Sequence, residues 1–235
     1  MVTVILPWRA THSREPAYEF VTGWYRRSVP DAVILPVDSD DEQFNLARCR
    51  NVGIQLIDDP DEVVVISDAD TFPEAAPLRA AIAQSASSGL VHLPYTEYHW
   101  LGARGTDELL SGTAAAECDF ELVRGARSGV YVTTPRTWWA HGGQDERFRG
   151  WGFEDAAWYL AHGALLGAPP RRHPGRVFAM HHATQLREGP QYERNAALAE
   201  RYRAAVDDPV LMRQLVEEER TAESAANARS LPGVF

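Results

Sequence analysis

Two aspartates, Asp68 and Asp70, follow the apolar run EVVVIS at residues 62–67. A continuous β-branched run of this length is typical of a buried central strand. Carboxylates at the end of such a strand can turn toward one crevice and present the hard oxygen ligands that Mg2+ or Mn2+ prefers, and the ion can then hold a diphosphate. The alternative is that both are solvated turn residues, because aspartate is common in turns.

A pair of histidines, His181 and His182, follows the short apolar run VFAM at residues 177–180. Neutral imidazole is a good ligand for a transition metal such as Mn2+, and a carboxylate beside it completes a mixed nitrogen and oxygen site. The same pair could be no more than a polar strand end. Its place after a late strand favours the metal site, without indicating which histidine is the ligand.

The segment HGGQDERFRGWGFEDAAW at residues 141–158 combines charged, aromatic and glycine residues. Glu154 and Asp155 are predicted to begin a helix, where acids complement the helix dipole by about 0.3–1 kcal/mol each. The dipole does not account for Trp151 and the glycines around it. An indole against a glycine backbone can lie flat on the apolar face of a sugar ring. A carboxylate next to it can accept a hydroxyl proton as a general base.

The elements that must position these residues alternate between apolar strands and helices, which predicts an α/β fold with a mostly parallel sheet and ligands at the carboxyl ends of its strands. We expect strands at 2–6, 32–37, 62–67, 90–93, 129–134 and 177–180, and helices at 16–28, 44–57, 74–85 and 154–166. Residues 96–128 are rich in glycine, serine and threonine and are expected to form loops around the site. We predict one domain at 1–190 and a helical extension at 191–235.

Composition narrows the classes of protein. The 235 residues include 33 acidic and 23 basic side chains, for a formal charge of −10, which disfavours non-specific binding to nucleic acid. No stretch approaches the roughly 18 apolar residues of a membrane span. The two cysteines lack zinc-site spacing, so a reducing, cytoplasmic location is expected.

Four motifs in order give the sequence a resemblance to a known family. GGQDERFRGWGFED resembles the GGFDE…GWGxED signature of the GT-A-fold glycosyltransferases, in particular the β-1,4-galactosyltransferase C-terminal type and the chondroitin-polymerase-like enzymes. FNLARCRNVG at residues 44–53 resembles their FNRAxxxNxG motif, and Asp68-Ala69-Asp70 stands where they have DxD. The resemblance covers residues from about 2 to about 190 and implies a GT-A, Rossmann-like nucleotide-diphospho-sugar transferase fold.

The resemblance also implies a role for individual residues. Asp155 would be the catalytic base, with Trp151, Gly152 and Glu154 binding the acceptor. Asp70 and His182 would hold Mn2+ or Mg2+, because the late histidine of the family precedes a proline by a spacing that Pro190 matches better with His182 than with His181. The donor-binding positions would be Pro7, Trp8, Arg9, Asp38, Arg48 and Asp68.

The activity that the resemblance implies is metal-dependent, inverting transfer of a sugar from a nucleotide sugar, a UDP-sugar by expectation, to a hydroxyl of a glycan or glycoconjugate. Phe153 replaces the second glycine of GWGGED, and Gln144 replaces the aromatic residue of GGFDE, so the acceptor pocket is expected to differ in shape. Galactose transfer to N-acetylglucosamine is therefore not implied.

Two other functions compete with this interpretation. A nucleotidyltransferase that makes the sugar nucleotide would share the α/β layout and acidic metal site, but the segment after the first strand, PWRATHSREP, has no glycine for a triphosphate loop. A degenerate carbohydrate-binding module would not need both aspartates, the histidine pair and the Glu154–Asp155 pair. We expect the nucleotide-sugar donor and the glycan acceptor to be the partners of this chain.

Overall fold

The apolar runs form two β-sheets in the computed structural model, which describes residues 2–39, 41–150, 152–182 and 188–218. Short runs rich in valine and isoleucine favour strands, because branched side chains pack well on a pleated surface. The strands are β1 Val2–Pro7, β2 Ala32–Val37, β3 Val63–Ser67, β4 Thr71–Pro73, β5 His92–Leu93, β6 Glu97–Trp100, β7 Glu121–Val123, β8 Val130–Thr133, β9 Arg171–Arg172 and β10 Arg176–Ala179.

Helices fill the connections between these strands. They are α1 Glu15–Ser28, α2 Leu46–Gln55, α3 Ala75–Ser88, α4 Gly102–Leu110, α5 Pro135–Ala140, α6 Glu154–Leu166 and α7 Pro190–Ala204, and residues 209–218 are also helical and are called α8. Among the described residues, none of these helices has the length and apolar character needed to cross a membrane.

The larger sheet has the strand order β2-β1-β3-β8-β5-β9. β1 pairs in parallel with β2 and β3, and β5 pairs in parallel with β9. β8 runs antiparallel to both of its neighbours, β3 and β5, so a single strand is reversed. The predicted α/β class with a mostly parallel sheet is therefore confirmed, and the carboxyl ends of β1 and β3 meet at one edge of the sheet.

The smaller sheet corrects one prediction. Residues 96–128 were expected to be loops, but β6, α4 and β7 lie within them, and β6 and β7 join β4 and β10 in the order β4-β10-β6-β7. The strands are short, and every residue of β7 is exposed, so they lack the apolar pattern that identifies a strand in a sequence. β10, parallel to β6 and antiparallel to β4, holds the sheet together.

Two apolar cores stabilise the protein. The larger one lies between the main sheet and its helices, and the smaller one joins α6 to α7 and α8 through residues that include Ala161, Tyr202 and Met212. α6 contributes to both, because Trp158 lies in the larger core and Ala157 in the smaller one. The helices after residue 190 thus pack against the helix that carries Glu154 and Asp155. The predicted domain boundary at residue 190 remains a prediction.

Candidate active site

A cleft of about 600 Å3 lies at the carboxyl ends of β1 and β3, between the connection that follows β3 and the beginning of α6. Eight of the residues singled out from the sequence line it: Pro7, Arg9, Asp68, Asp70, Gly152, Glu154, Asp155 and His182. Because these residues come from four distant segments of the chain, the fold is what places them together. Trp151, which was also singled out from the sequence, lies outside the described residues.

The pairing of β4 with β10 brings the aspartate motif to the histidine pair. Ala179 stands opposite Thr71, and the Met180 amide donates to the Asp70 carbonyl oxygen (2.9 Å). The register leaves His182 Nε2 3.0 Å from Asp70 Oδ2. Two segments more than a hundred residues apart in the sequence therefore place a carboxylate and an imidazole side by side in the cleft.

The chemistry of Asp70 and His182 fits a divalent transition metal. A carboxylate oxygen and an imidazole nitrogen 3.0 Å apart are the mixed donor set that such an ion accepts. The Thr71 hydroxyl donates to Asp70 Oδ1 (2.8 Å) and so orients the carboxylate. Burial raises the pKa of Asp70, but the hydrogen bond and charge of His182, together with Thr71, outweigh burial and hold that pKa below its usual value. Within the described ranges no three His, Cys, Asp or Glu residues form a metal-binding group.

The two histidines lie in different environments. The His181 amide donates to Thr106 Oγ1 (2.7 Å), and the exposed His181 ring lies 6.1 Å from the ring of Trp100. The His182 ring instead contacts Asp70 and Arg14, whose Nη2 is 3.2 Å from His182 Nδ1. The structure therefore brings one histidine of the pair, His182, to Asp70.

Arg50 supports the other aspartate of the motif and was not singled out from the sequence. Its side chain is fully buried, pairs with Asp68, and donates from Nη1 to Gln144 Oε1 (2.8 Å). Burial lowers the pKa of Arg50, but the charge and hydrogen bond of Asp68 outweigh burial and hold it above the usual value, so the side chain remains a cation. Gln144, which stands where the resembling enzymes have an aromatic residue, is thus a buried partner of this arginine.

The motifs at residues 44–53 and 141–146 interlock through buried amides. Asn51 Oδ1 accepts from the Gln144 amide and from Trp138 Nε1 (both 3.0 Å), and Asn51 Nδ2 donates to the Gln144 carbonyl (2.7 Å). Asn45 caps α2 by accepting the Arg48 amide and donates to the Glu146 carbonyl (2.9 Å). The two motifs therefore form one structural unit beneath the cleft.

The predicted donor-binding residues divide between the cleft and its rim. Arg9 forms a bidentate ion pair with Asp38, in which Arg9 Nη2 lies 2.6 Å from Asp38 Oδ1. Trp8 stacks on Tyr18 with ring centroids 4.2 Å apart, and Arg48 Nη1 lies 3.3 Å from Glu146 Oε2. Arg9 and Pro7 line the cleft directly.

Glu154 and Asp155 line the same cleft from the first turn of α6. Phe153 precedes them with φ = 78°, and it is the one described non-glycine residue with a positive φ. The resembling enzymes have glycine here, which adopts this conformation freely. Burial, followed by the charge of Asp155, raises the pKa of Glu154 to about 7. Glu154 can therefore carry a proton at neutral pH and donate a hydrogen bond.

Arg14, Tyr98 and Trp100 are among the cleft-lining residues that the sequence predictions missed. Arg14 lies beside His182 and places a positive charge near Asp70. Tyr98 and Trp100 belong to β6, whose presence was not predicted. Alternation in β6 could have indicated them, since positions two apart in a strand share a face, but only after that strand had been recognised.

Comparison with solved structures shows the fold. Drosophila β-1,4-galactosyltransferase 7 is similar in two structures. One is a mutant with manganese, UDP-Gal and xylobiose (TM-score 0.54, 14% identity, 83% of this chain and 78% of that one), and the other is the catalytic domain with xylobiose (TM-score 0.55, 18% identity, 83% and 79%). GalNAc-T7 with UDP, GalNAc and Mn2+ is similar over 94% of this chain and 55% of its own length (TM-score 0.54, 9% identity).

The sequence itself matches no protein-family model and no curated protein. The likeness is therefore one of three-dimensional structure, and it confirms the fold that the motifs implied. The chain has the GT-A fold of nucleotide-sugar transferases.

Proposed function

We propose that this chain is a metal-dependent, inverting glycosyltransferase that moves a sugar from a nucleotide sugar, a UDP-sugar, to a hydroxyl of a glycan or glycoconjugate. One observation carries the proposal: a single cleft is lined by Asp70 and His182 together with the Glu154–Asp155 pair. The GT-A fold supports it, and the similar structures contain UDP-Gal, UDP and manganese.

The part of the cleft around Asp70 suits the diphosphate of the donor. Asp70 and His182 would hold Mn2+ or Mg2+, which when bound neutralises negative charge on a leaving diphosphate. Arg14 adds a protein cation in the same part of the cleft. Asp68, held by buried Arg50, is fixed in position beside them and can accept hydrogen bonds from donor hydroxyls. Arg9 and Pro7 line the adjoining part of the cleft, where the nucleotide would lie.

The part of the cleft at the first turn of α6 suits the acceptor. Asp155 is proposed as the general base that takes the proton from the attacking hydroxyl, and its Oδ1 accepts the Ala156 amide (2.8 Å), which limits its rotation. Glu154, with a pKa of about 7, can hydrogen-bond the acceptor in its protonated form. Trp151 and Gly152 are proposed as the surface on which the acceptor sugar rests. With Asp155 as the base, a single displacement with inversion is the simplest course.

Replacing Asp155 by Asn tests this assignment, because the amide keeps the size of the side chain but cannot accept the proton. Sugar transfer should fall by about 100-fold or more, while Mn2+-dependent binding of the donor is retained. Transfer would be measured with a panel of nucleotide sugars and glycans, and donor binding by thermal stabilisation. Asp58→Asn is the matched control, since Asp58 is exposed on the connection before β3, at the opposite end of the strand from the cleft.

The outcomes separate the competing functions. Undiminished transfer by the Asp155→Asn variant would reject Asp155 as the base. Pyrophosphate release from UTP and a sugar phosphate by the wild-type protein would instead identify a nucleotidyltransferase. Glycan binding without turnover of any donor in the presence of Mn2+ would identify a carbohydrate-binding module.

A further inference from the structure

A buried amide of α7, that of Asn195, binds the loop between α5 and α6, which leads to Glu154 and Asp155. Asn195 is 1% exposed. Its Nδ2 donates to the Arg149 carbonyl (2.8 Å) and the Gly152 carbonyl (3.4 Å), and its Oδ1 accepts the Arg149 amide (3.4 Å). A side-chain amide that satisfies backbone groups on both sides of a loop fixes the path of that loop, because leaving buried polar groups without partners costs free energy.

The same loop contains backbone that needs such support. Gly150 and Gly152 have φ values of 68° and 98°, and Phe153 has φ = 78°. A non-glycine residue in this region costs on the order of 1–3 kcal/mol and persists only where its surroundings impose it. The Phe153 ring packs against Tyr192 of α7, with centroids 5.2 Å apart. α7 therefore contacts the strained residue and, through Asn195, the backbone on its N-terminal side.

A second group of contacts fixes the start of the loop. Asp145 forms an ion pair with Arg147 (2.7 Å) and accepts a hydrogen bond from the Tyr202 hydroxyl (2.8 Å). Arg147 continues to α8, where Nη2 donates to the Leu215 carbonyl (2.9 Å) and Nη1 pairs with Glu218 (3.2 Å). Thus α7 and α8 contact both ends of the segment that runs from Asp145 to Phe153, directly before Glu154 and Asp155.

We propose that α7 is a positioning element of the active site and that Asn195 is its positioning residue. Through the backbone of Arg149 and Gly152 it fixes where α6 begins, and hence where Glu154 and Asp155 point into the cleft. This inference rests on the proposed function for its catalytic consequence. Its structural part, the fastening of the loop, can be tested without any activity.

The test compares Asn195→Ala with Ala199→Gly. Ala199 is buried on the same helix in the smaller core, and glycine there weakens α7 by about 1 kcal/mol while the Asn195 hydrogen bonds to the loop are kept. Tyr192→Ala, which removes the half-exposed ring against Phe153, serves as a second loop variant if Asn195→Ala does not fold. Each is measured for amide hydrogen exchange, for Mn2+-dependent UDP binding, and for the kcat and acceptor KM of transfer.

For Asn195→Ala we expect faster exchange at Arg149 and its neighbours, with the main sheet unchanged. Since a displacement of about 1 Å can cost 100-fold in rate, kcat/KM for the acceptor should fall by about 10- to 100-fold, with UDP affinity within about two-fold of the wild type. Equal losses in Ala199→Gly at equal stability would overturn the proposal, as would unchanged exchange at Arg149. A wild-type protein without transferase activity would reject the proposed function, whereas the exchange result would still decide the fastening.

Discussion

His181 and His182 are adjacent in the sequence, yet at the residue scale they differ in their contacts. His182 meets Asp70 at 3.0 Å, whereas His181 is exposed beside Trp100. We predict that His182→Ala weakens Mn2+-dependent binding of UDP by about 10-fold or more, because losing a metal ligand costs at least as much as losing a group that orients one. His181→Ala is the matched control and should bind as the wild type does. Titration calorimetry with UDP and MnCl2 measures both, and equal losses would contradict the separation.

Arg50 gives a second prediction at this scale. Arg50→Met removes the fully buried cation that pairs with Asp68, whose side chain is 21% exposed to the cleft, and it leaves Gln144 Oε1 without its donor, so we expect a loss of about 1–3 kcal/mol in the free energy of unfolding. Arg136→Met is the control, because Arg136 pairs with Asp61 at the exposed surface, where such pairs contribute less than about 1 kcal/mol.

Chemical denaturation compares the two variants of this second prediction. Adding Asp68→Asn to Arg50→Met should recover part of the loss, since it removes the carboxylate that has lost its cation. If Arg50→Met lowers the free energy of unfolding no more than Arg136→Met does, the contacts of Arg50 with Asp68 and Gln144 do not stabilise the fold.

At the scale of secondary-structure elements, four buried histidines lie where β5, α6 and the segments after α5 and β9 meet. His92 Nδ1 is 2.8 Å from His173 Nε2, His162 Nε2 accepts the Val91 amide (3.0 Å), and the His141 ring lies 5.2 Å from that of His162. Burial lowers the pKa of both His92 and His162 to about 4. Burial lowers the pKa of His141 and His173 as well.

These shifts predict acid sensitivity. In the unfolded chain the histidines take up protons below about pH 6.5, but in the folded chain His92 and His162 stay neutral down to about pH 4. The free energy of unfolding should therefore fall between pH 6.5 and 4, by about 1.4 kcal/mol per pH unit for each such histidine. His162→Gln, which can still accept from the Val91 amide and donate to the Ala168 carbonyl 2.9 Å from His162 Nδ1, should make this slope shallower. His12→Gln, at an exposed position, should leave it unchanged, and denaturation curves across this pH range distinguish the two.

Elements also show how far the sequence could lead. Strands β1, β2, β3 and β8 and helix α6 were predicted because apolar runs and helical spacing are local signals. The strands β6 and β7 and the pairing of β10 with β4 were not, since short, half-exposed strands acquire their structure from their partners. The same holds for the site. Asp68, Asp70 and the Glu154–Asp155 pair follow from motifs, whereas Arg50 and Asn195 act through contacts that no spacing in the sequence records.

At the scale of the whole molecule, Gly142 in the connection between α5 and α6 lies directly against Val216 of α8. A Cβ atom on Gly142, which has φ = 98°, would lie 2.0 Å from Val216 Cγ1. We predict that Gly142→Ala destabilises the protein by about 2–4 kcal/mol, because overpacking adds to the cost of the positive φ. Gly167→Ala is the control, since Gly167 also has a positive φ (73°) but has no atom within 4 Å of the added carbon. Denaturation midpoints compare them.

The whole-molecule prediction has an internal check. Val216→Ala in the Gly142→Ala background removes the overlapping methyl groups but leaves the backbone strain, so it should recover part of the stability. If Gly142→Ala destabilises the protein no more than Gly167→Ala does, the contact between Gly142 and α8 is looser than the distance indicates.

The place of α7 in the chain has a consequence for synthesis. Translation delivers β1, β3 and the aspartate motif early, but β10 with His182 follows only after residue 176, and Asn195 later still. Domains begin to fold while the ribosome adds about 5–20 residues per second. A nascent chain should therefore bring Asp70 and His182 together before α7 fastens the loop that leads to Glu154 and Asp155. Pulse-labelled chains stalled before and after α7 emerges should differ in protease resistance at Arg149 and Gly152.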